Sequence, residues 1–171
     1  MLEQFVLSVI VDNHAGVLAR VSSLFSRRNF NIDSLTVSAT DFPEISRITI
    51  VVKGDAYTLD QITKQLLKLQ EVKKVERLFP ENSLFRELLL LKINAPVESR
   101  SPIKDAVEIY RAKILDMSPV TMIIELTGQQ SKIDAFLEIM EPFGIVEMCR
   151  TGITAMERGM STIYDPSTIT D

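Results

Sequence analysis

The chain has 171 residues, of which 46% are hydrophobic and 25% charged, with a formal net charge of −4. This length suits one ordinary domain or two small ones. The acidic balance argues against a nucleic-acid-binding surface, which needs clustered basic residues. No run of about 18 apolar residues suggests a membrane span, and the first four residues lack the basic start of a signal peptide. With one cysteine, the composition fits a reducing cytoplasm.

The first half follows the order β-α-β-β-α-β. Apolar runs, alternation and helical spacing predict strands at 5–11, 31–39, 45–53 and 72–78, with helices at about 15–28 and 58–69. This order is the ferredoxin-like plan, and its first and third strands are expected at the centre of the sheet. Asn29 follows the first helix where a left-handed residue would end it. The first helix is expected to bury one stripe of residues: Val17, Leu18, Val21, Leu24 and Phe25.

The turn Asp12-Asn13-His14-Ala15-Gly16, between the first strand and the first helix, is the strongest candidate for a binding site. A helix start presents unpaired N–H groups and a partial positive charge, which attract a carboxylate. Gly16 lets a ligand approach the backbone, and the Asn13 amide can bind an ammonium or a carboxylate. This combination suits a free amino acid. The alternative is that Asp12 or Asn13 only caps the helix and Gly16 relieves crowding.

The second half repeats the order after a polar break at Pro80-Glu81-Asn82-Ser83. Strands are predicted at 85–93, 113–117, 121–127 and 145–150, with helices at about 102–110 and 131–140. The predicted fold class is therefore α+β, with two tandem ferredoxin-like domains at 1–79 and 84–154 and a polar tail at 155–171. The loop at 94–101 does not repeat the anion-attracting turn, so only the first half is expected to bind a ligand.

No group of residues in the sequence forms a recognisable catalytic site. His14, the only histidine, lacks a Cys or Asp–Ser partner at a useful spacing and is expected to be an exposed turn residue. Cys149, beside Met148 in an apolar strand, is expected to be buried. Neither a Gly-rich nucleotide motif nor Cys/His zinc spacing is present, so no catalytic residue or metal ligand is predicted. Three methionines are expected in the core: Met117, Met122 and Met140.

The turn and the residues after it closely resemble the regulatory small subunit of acetohydroxyacid synthase (acetolactate synthase). The similarity begins with Asn13-His14-Ala15-Gly16-Val17-Leu18-Ala19-Arg20-Val21 and extends over 24–28, 30–37, 46–50, 61–66, 86–88, 92–93 and 150–152. The turn signature alone would indicate an ACT domain, a widespread amino-acid-sensing module. Two positions depart from the family pattern. His14-Ala15 replaces an acidic residue and a proline, and Asn29 replaces a glycine.

The resemblance implies a non-catalytic subunit that activates a large catalytic subunit and confers feedback inhibition by a branched-chain amino acid, with valine the first candidate. Thiamine diphosphate, magnesium and FAD would belong to that partner and none of them to this chain. The effector would lie between the ACT domains of two copies, one copy supplying the turn and the other the start of its second strand. The implied contact residues are Asn13, His14, Ala15, Gly16, Val17, Leu18, Asn31 and Ile32.

The second strand fits such a dimer because it has no Pro or Lys to protect an exposed edge. Pairing with its counterpart would join two four-stranded sheets and bring Asn31 of one copy near Gly16 of the other. Asn31 also has a simpler interpretation, as a turn residue at the start of a strand. Two alternatives for the whole chain are a free-standing amino-acid sensor with another partner and an enzyme in its own right, which the absence of a catalytic group disfavours.

Overall fold

The computed structural model describes residues 3–164. Their contacts divide them into two compact units. The first unit contains the residues up to Leu84 together with those from Ile153 onward, and the second runs from Phe85 to Gly152. Both units have the order β-α-β-β-α-β with antiparallel strand pairing. This architecture confirms the predicted α+β class and the doubled ferredoxin-like plan.

The first unit places its two most apolar strands at the centre of its sheet. The strand order is β2-β3-β1-β4, as the plan predicted. Side chains on both faces of β1 are buried, which explains its nearly continuous apolar run. The elements are β1 (Glu3–Asp12), α1 (Val17–Arg27), β2 (Ile32–Ala39), β3 (Ile45–Gly54), α2 (Ala56–Leu66) and β4 (Val72–Leu78).

Helix α1 packs on this sheet through a narrower stripe than the sequence predicted. Val17, Val21 and Phe25 are buried, and Leu24 packs partly against the same core. The side chain of Leu18 is 43% exposed, so its predicted burial was wrong. The buried residues recur every four positions, and this spacing leaves the position after Val17 on the solvent side.

Two backbone features set the path from α1 into β2. Asn29 has a φ of 57°, and the N–H of Phe30 donates to the carbonyl of Phe25 at 3.0 Å, so the predicted left-handed helix end is confirmed. A β-bulge then shifts the pairing of β2 with β3 between Ile32 and Ser34. Strict alternation would put Ile32 and Leu35 on opposite faces, yet both pack against the same core because the bulge adds a residue.

The second unit has β5 and β7 at the centre of its sheet, in the path β6-β7-β5-β8. Met122 and Met140 are buried in its core, as predicted. Cys149 on β8 and Met117 on β6 are exposed, so both predictions of burial were wrong. Each lies on an edge strand, where neighbours cover fewer side chains. The elements are β5 (Ser83–Asn94), α3 (Arg100–Tyr110), β6 (Lys113–Met117), β7 (Thr121–Gly128), α4 (Gln130–Met140) and β8 (Ile145–Arg150).

The chain returns to the first unit after the second is complete. Residues 153–164, including β9 (Thr154–Glu157), pack with the first unit, whereas the sequence suggested a second domain to 154 and a separate polar tail. Arg47 donates to the carbonyl of Ala155 at 2.7 Å, and Ile163 joins a buried cluster with Ile10 and Ile45. Interspersed apolar residues give this polar segment its contacts. The rest of the predicted tail, 165–171, lies outside the described residues.

Candidate functional site

The turn before α1 leaves the start of the helix open. Gly16 is the N-cap residue with a φ of 92°, and no side chain accepts a hydrogen bond from the first N–H groups of α1. Apart from the adjoining backbone and the two chain neighbours of Gly16, no heavy atom of residues 3–164 lies within 4 Å of the position that a Cβ of Gly16 would occupy. Open space therefore adjoins a helix start whose N–H groups lack a side-chain cap, which is the arrangement that attracts a carboxylate.

Asp12 and Asn13 are both engaged away from the helix start. The Asp12 carboxylate lies 3.3 Å from Nζ of Lys73. The Asn13 side chain donates from Nδ2 to the carbonyl of Pro43 at 2.8 Å, and its backbone N–H donates to the carbonyl of Glu44 at 2.7 Å. Neither the Asp12 nor the Asn13 side chain therefore caps α1 in the described structure, which was the alternative to a ligand site. They hold the turn against its neighbours.

The predicted turn residues divide by exposure. Asn13, His14, Ala15, Gly16 and Leu18 are exposed, while Val17 is buried in the core. The exposure of His14 confirms its assignment as a turn residue on the surface. A ligand at this turn can contact the exposed side chains, whereas the Val17 side chain anchors the helix.

Asn31 and Ile32 lie at the opposite end of α1 from the turn. The 11 residues of α1 span about 16 Å at about 1.5 Å per residue, so one chain does not bring the two groups together through this helix. Asn31 is exposed and donates from Nδ2 to Asp33 at 3.1 Å. Ile32 is half-buried against the core, which leaves only part of its side chain available.

Two residues beside the turn were not singled out from the sequence. Arg20, in the second turn of α1, pairs with Glu71, whose carbonyl also accepts from the N–H of Asp12 at 2.9 Å. The Glu71 side chain is only 9% exposed, and its Oε2 has no hydrogen-bond partner among the described residues. Arg20 and Glu71 come close together because β1 pairs with β4. No local sequence motif predicts this pairing. The Arg20–Glu71 pair stiffens the base of the turn.

Two other classes of site were searched for in the described part of the chain. Residues 3–164 contain no group of three or more His, Cys, Asp or Glu side chains that could hold a metal ion. None of the helices within that range is long and apolar enough to span a membrane.

Comparisons with known proteins agree with this fold and this turn. Residues 7–74 match the family model of the AHAS small subunit-like ACT domain, and residues 86–159 match that of the small subunit of acetolactate synthase. The probable acetolactate synthase small subunit of Methanothermobacter thermautotrophicus is 48% identical over 159 residues, which cover 92% of this chain and 95% of that protein. The acetolactate synthase small subunit of Mycobacterium bovis is 48% identical over 153 residues, or 90% and 91% of the two chains.

A solved structure gives the same result in three dimensions. The crystal structure of the acetolactate synthase small subunit from Thermotoga maritima superposes with a TM-score of 0.86 at 43% identity, covering 92% of this chain and 98% of that one. The family matches together span most of the sequence, and the relatives are matched over nearly their full length. This chain belongs to the acetolactate synthase small-subunit family, and its first unit carries the ACT domain of that family.

Proposed function

We propose that this chain is the non-catalytic regulatory subunit of an acetohydroxyacid synthase. It activates the catalytic subunit and makes it sensitive to feedback inhibition by a branched-chain amino acid, with valine the first candidate. Thiamine diphosphate, magnesium and FAD are bound by the catalytic subunit in this proposal. The observation that carries it is the open, uncapped start of α1 behind Gly16, in a chain of this family.

The turn suits the carboxylate and the ammonium of a free amino acid. The uncapped N–H groups of α1 favour the carboxylate. Asn13 uses Nδ2 to bind Pro43, so its carbonyl oxygen Oδ1 is the atom that it offers to an ammonium group. The exposed side chain of Leu18 adds apolar surface nearby, which suits a branched aliphatic side chain.

A second copy would complete the site. Strand β2 lies at an edge of its sheet and contains neither Pro nor Lys, which supports pairing with the β2 strand of another copy. In that dimer Asn31 and the exposed part of Ile32 approach the turn of the partner. An effector between the copies would stabilise one dimer arrangement over others, and such coupling between sites is typically about 1–3 kcal/mol.

Reconstitution tests the proposal. The purified chain is titrated into its catalytic subunit, and acetolactate formation from pyruvate is followed with and without valine, leucine or isoleucine. We expect a higher turnover in the mixture and inhibition by at least one of these amino acids only when the chain is present. A mixture with the rate and the amino-acid insensitivity of the catalytic subunit alone would contradict the proposal.

A further inference from the structure

A second recess in the first unit lies away from the amino-acid turn, between α1 and α2. This cleft has a volume of about 720 Å³. Leu24 and Leu69, both half-buried, give it an apolar floor. Four basic residues form its rim: Arg20, Arg27, Arg28 and Lys68.

The charge of this basic cleft is largely uncompensated. Arg20 pairs with Glu71, but Arg27, Arg28 and Lys68 make no ion pair or side-chain hydrogen bond with any residue between 3 and 164. None of the Asp and Glu residues between 3 and 164 lines the cleft. The concentration of positive charge is notable because the whole chain has 23 acidic and 19 basic residues.

A cleft in the second unit has a different character. Its volume is about 480 Å³, and its walls mix both signs of charge. Of these two clefts, only the one between α1 and α2 has an excess of cations. The charged residues of the second cleft are Arg100, Lys104, Asp105 and Glu108.

An apolar floor inside a rim of arginine and lysine side chains, most of them without an ion-pair partner among residues 3–164, suits an acidic protein segment with an apolar anchor. Protein interfaces have this anatomy, with apolar residues at the centre and charges at the rim, and opposite rim charges speed association. The side chains of Arg27, Arg28 and Lys68 are exposed. A small-molecule pocket instead encloses most of its ligand and fixes it with a few convergent polar groups.

A second copy of the chain does not suit this cleft. A two-fold contact through the same patch would place the cations of one copy against the same cations of the other, which is repulsive. A contact with a different patch of the copy would be head-to-tail and would build a ring or a filament rather than a two-fold dimer. Pairing through β2 uses the edge of the sheet and leaves the helix layer uncovered.

We propose that the cleft between α1 and α2 docks an acidic segment, carrying an apolar anchor, on the surface of the catalytic subunit. This inference rests on the proposed function, since it names the surface through which that function is exerted. Arg27, Arg28 and Lys68 bind the carboxylates of the segment, while Leu24 and Leu69 contact its anchor. Arg20 borders both the docking surface and the effector turn, but Arg27, Arg28 and Lys68 lie outside the turn, so the two can be disrupted independently.

Charge reversal tests the docking surface. Arg28→Glu and Lys68→Glu each reverse one rim cation, and Lys104→Glu, on α3, changes the net charge by the same amount elsewhere. For each variant, binding to the immobilised catalytic subunit and the concentration that half-maximally stimulates acetolactate formation are measured. Binding of valine to the free variant, by calorimetry, reports that the first unit is folded and its effector turn intact.

We expect R28E and K68E to bind the catalytic subunit roughly tenfold more weakly, with the loss smaller at high salt, while both still bind valine as the wild type does. K104E should match the wild type. Wild-type binding and stimulation by both R28E and K68E would overturn the docking surface and leave the proposed function standing. If the wild-type chain bound the catalytic subunit without changing its rate, the proposed function would fail instead. Equal weakening in K104E would show a general charge effect and would also overturn the assignment.

Discussion

Asn13 is bound to Pro43 by a hydrogen bond of 2.8 Å from Nδ2 to the proline carbonyl. The bond orients the amide, because Nδ2 faces the turn between β2 and β3 and the carbonyl Oδ1 remains for a ligand. An acceptor at this position suits an ammonium group, and the start of α1 suits a carboxylate. The two ends of an amino acid are thereby assigned to different groups of the turn.

The first prediction concerns the ammonium of the effector. Isovalerate has the carbon skeleton and carboxylate of valine but lacks the ammonium. We expect the wild type to bind valine more tightly than isovalerate by roughly tenfold, because a hydrogen bond to a charged group contributes about 1.5–3 kcal/mol. Asn13→Ala should remove most of this preference. Calorimetry with both ligands measures it, and a preference that survives in N13A would exclude Asn13 as the ammonium ligand.

The second prediction separates the charge at position 16 from its backbone strain. Gly16 has a φ of 92°, where a side chain costs roughly 1–2 kcal/mol, although the space around it is open. Gly16→Ala and Gly16→Asp should both lower the free energy of unfolding. Only G16D should abolish valine binding, because its carboxylate repels that of the ligand. Thermal unfolding and calorimetry distinguish the two effects, and wild-type affinity in G16D would contradict the proposed position of the effector.

The third prediction concerns Asn31. Among residues 3–164 its side chain makes one hydrogen bond, the exposed one to Asp33 at 3.1 Å, so Asn31→Ala should leave the free energy of unfolding nearly unchanged. The same substitution should weaken valine binding in the assembled dimer. Asn82→Ala, at another exposed asparagine, is the matched control and should bind normally. An unchanged dissociation constant in N31A would remove Asn31 from the effector site.

The fourth prediction concerns a buried ion pair in the second unit. Arg150 binds Glu87 through two hydrogen bonds of 2.6 and 2.9 Å, and these bonds raise the pKa of Arg150. Glu87 is only 4% exposed, so Arg150→Ala leaves a buried carboxylate without its cation and should cost about 3 kcal/mol. Lys92→Ala, in the exposed pair with Glu147, should cost less than about 1 kcal/mol.

Denaturant unfolding measures both costs. The double variant Arg150→Met with Glu87→Leu provides a further check, since removing both charges should be less destabilising than removing Arg150 alone. Similar stabilities of R150A and K92A would show that burial of Glu87 does not strengthen the pair.

The fifth prediction concerns the returning segment. Ile163 is 5% exposed and packs with Ile10 and Ile45. Truncation by Ile163→Ala should lower the free energy of unfolding of the first unit by about 2 kcal/mol. Met160 is 100% exposed, so Met160→Ala should have little effect. Thermal melts compare the two variants, and equal stabilities would mean that the segment adds nothing to the first unit.

The elements were predictable from the sequence because local patterns determine them. Strand β4 and the short strands β6 and β8 match their predicted bounds, since turn residues lie beside them, such as Pro80 after β4, Ser118-Pro119 after β6 and Gly144 before β8. What the pattern does not contain is the position of a strand within its sheet. Cys149 and Met117 lie on edge strands and are exposed, although their sequence surroundings are as apolar as those of central strands.

The candidate site also has one part that the sequence predicted and another that it did not. The turn at Gly16 was located from the sequence because a strand, a glycine and a helical stripe adjoin one another. Glu71 was missed because it reaches Arg20 across a separation of 51 residues. The contact of Arg47 with Ala155 spans 108 residues. Contacts of this range depend on the assembled sheet, so no local spacing predicts them.

The return of residues 153–164 has a consequence for the order in which the protein can be built. On the ribosome, the first unit emerges early, but the residues that cover Ile10 and Ile45 emerge only after all of the second unit. The first unit therefore stays incomplete throughout synthesis of the second, and a fragment ending at Leu84 is not its equivalent. Completion of the first unit therefore requires that the second unit has already been synthesised.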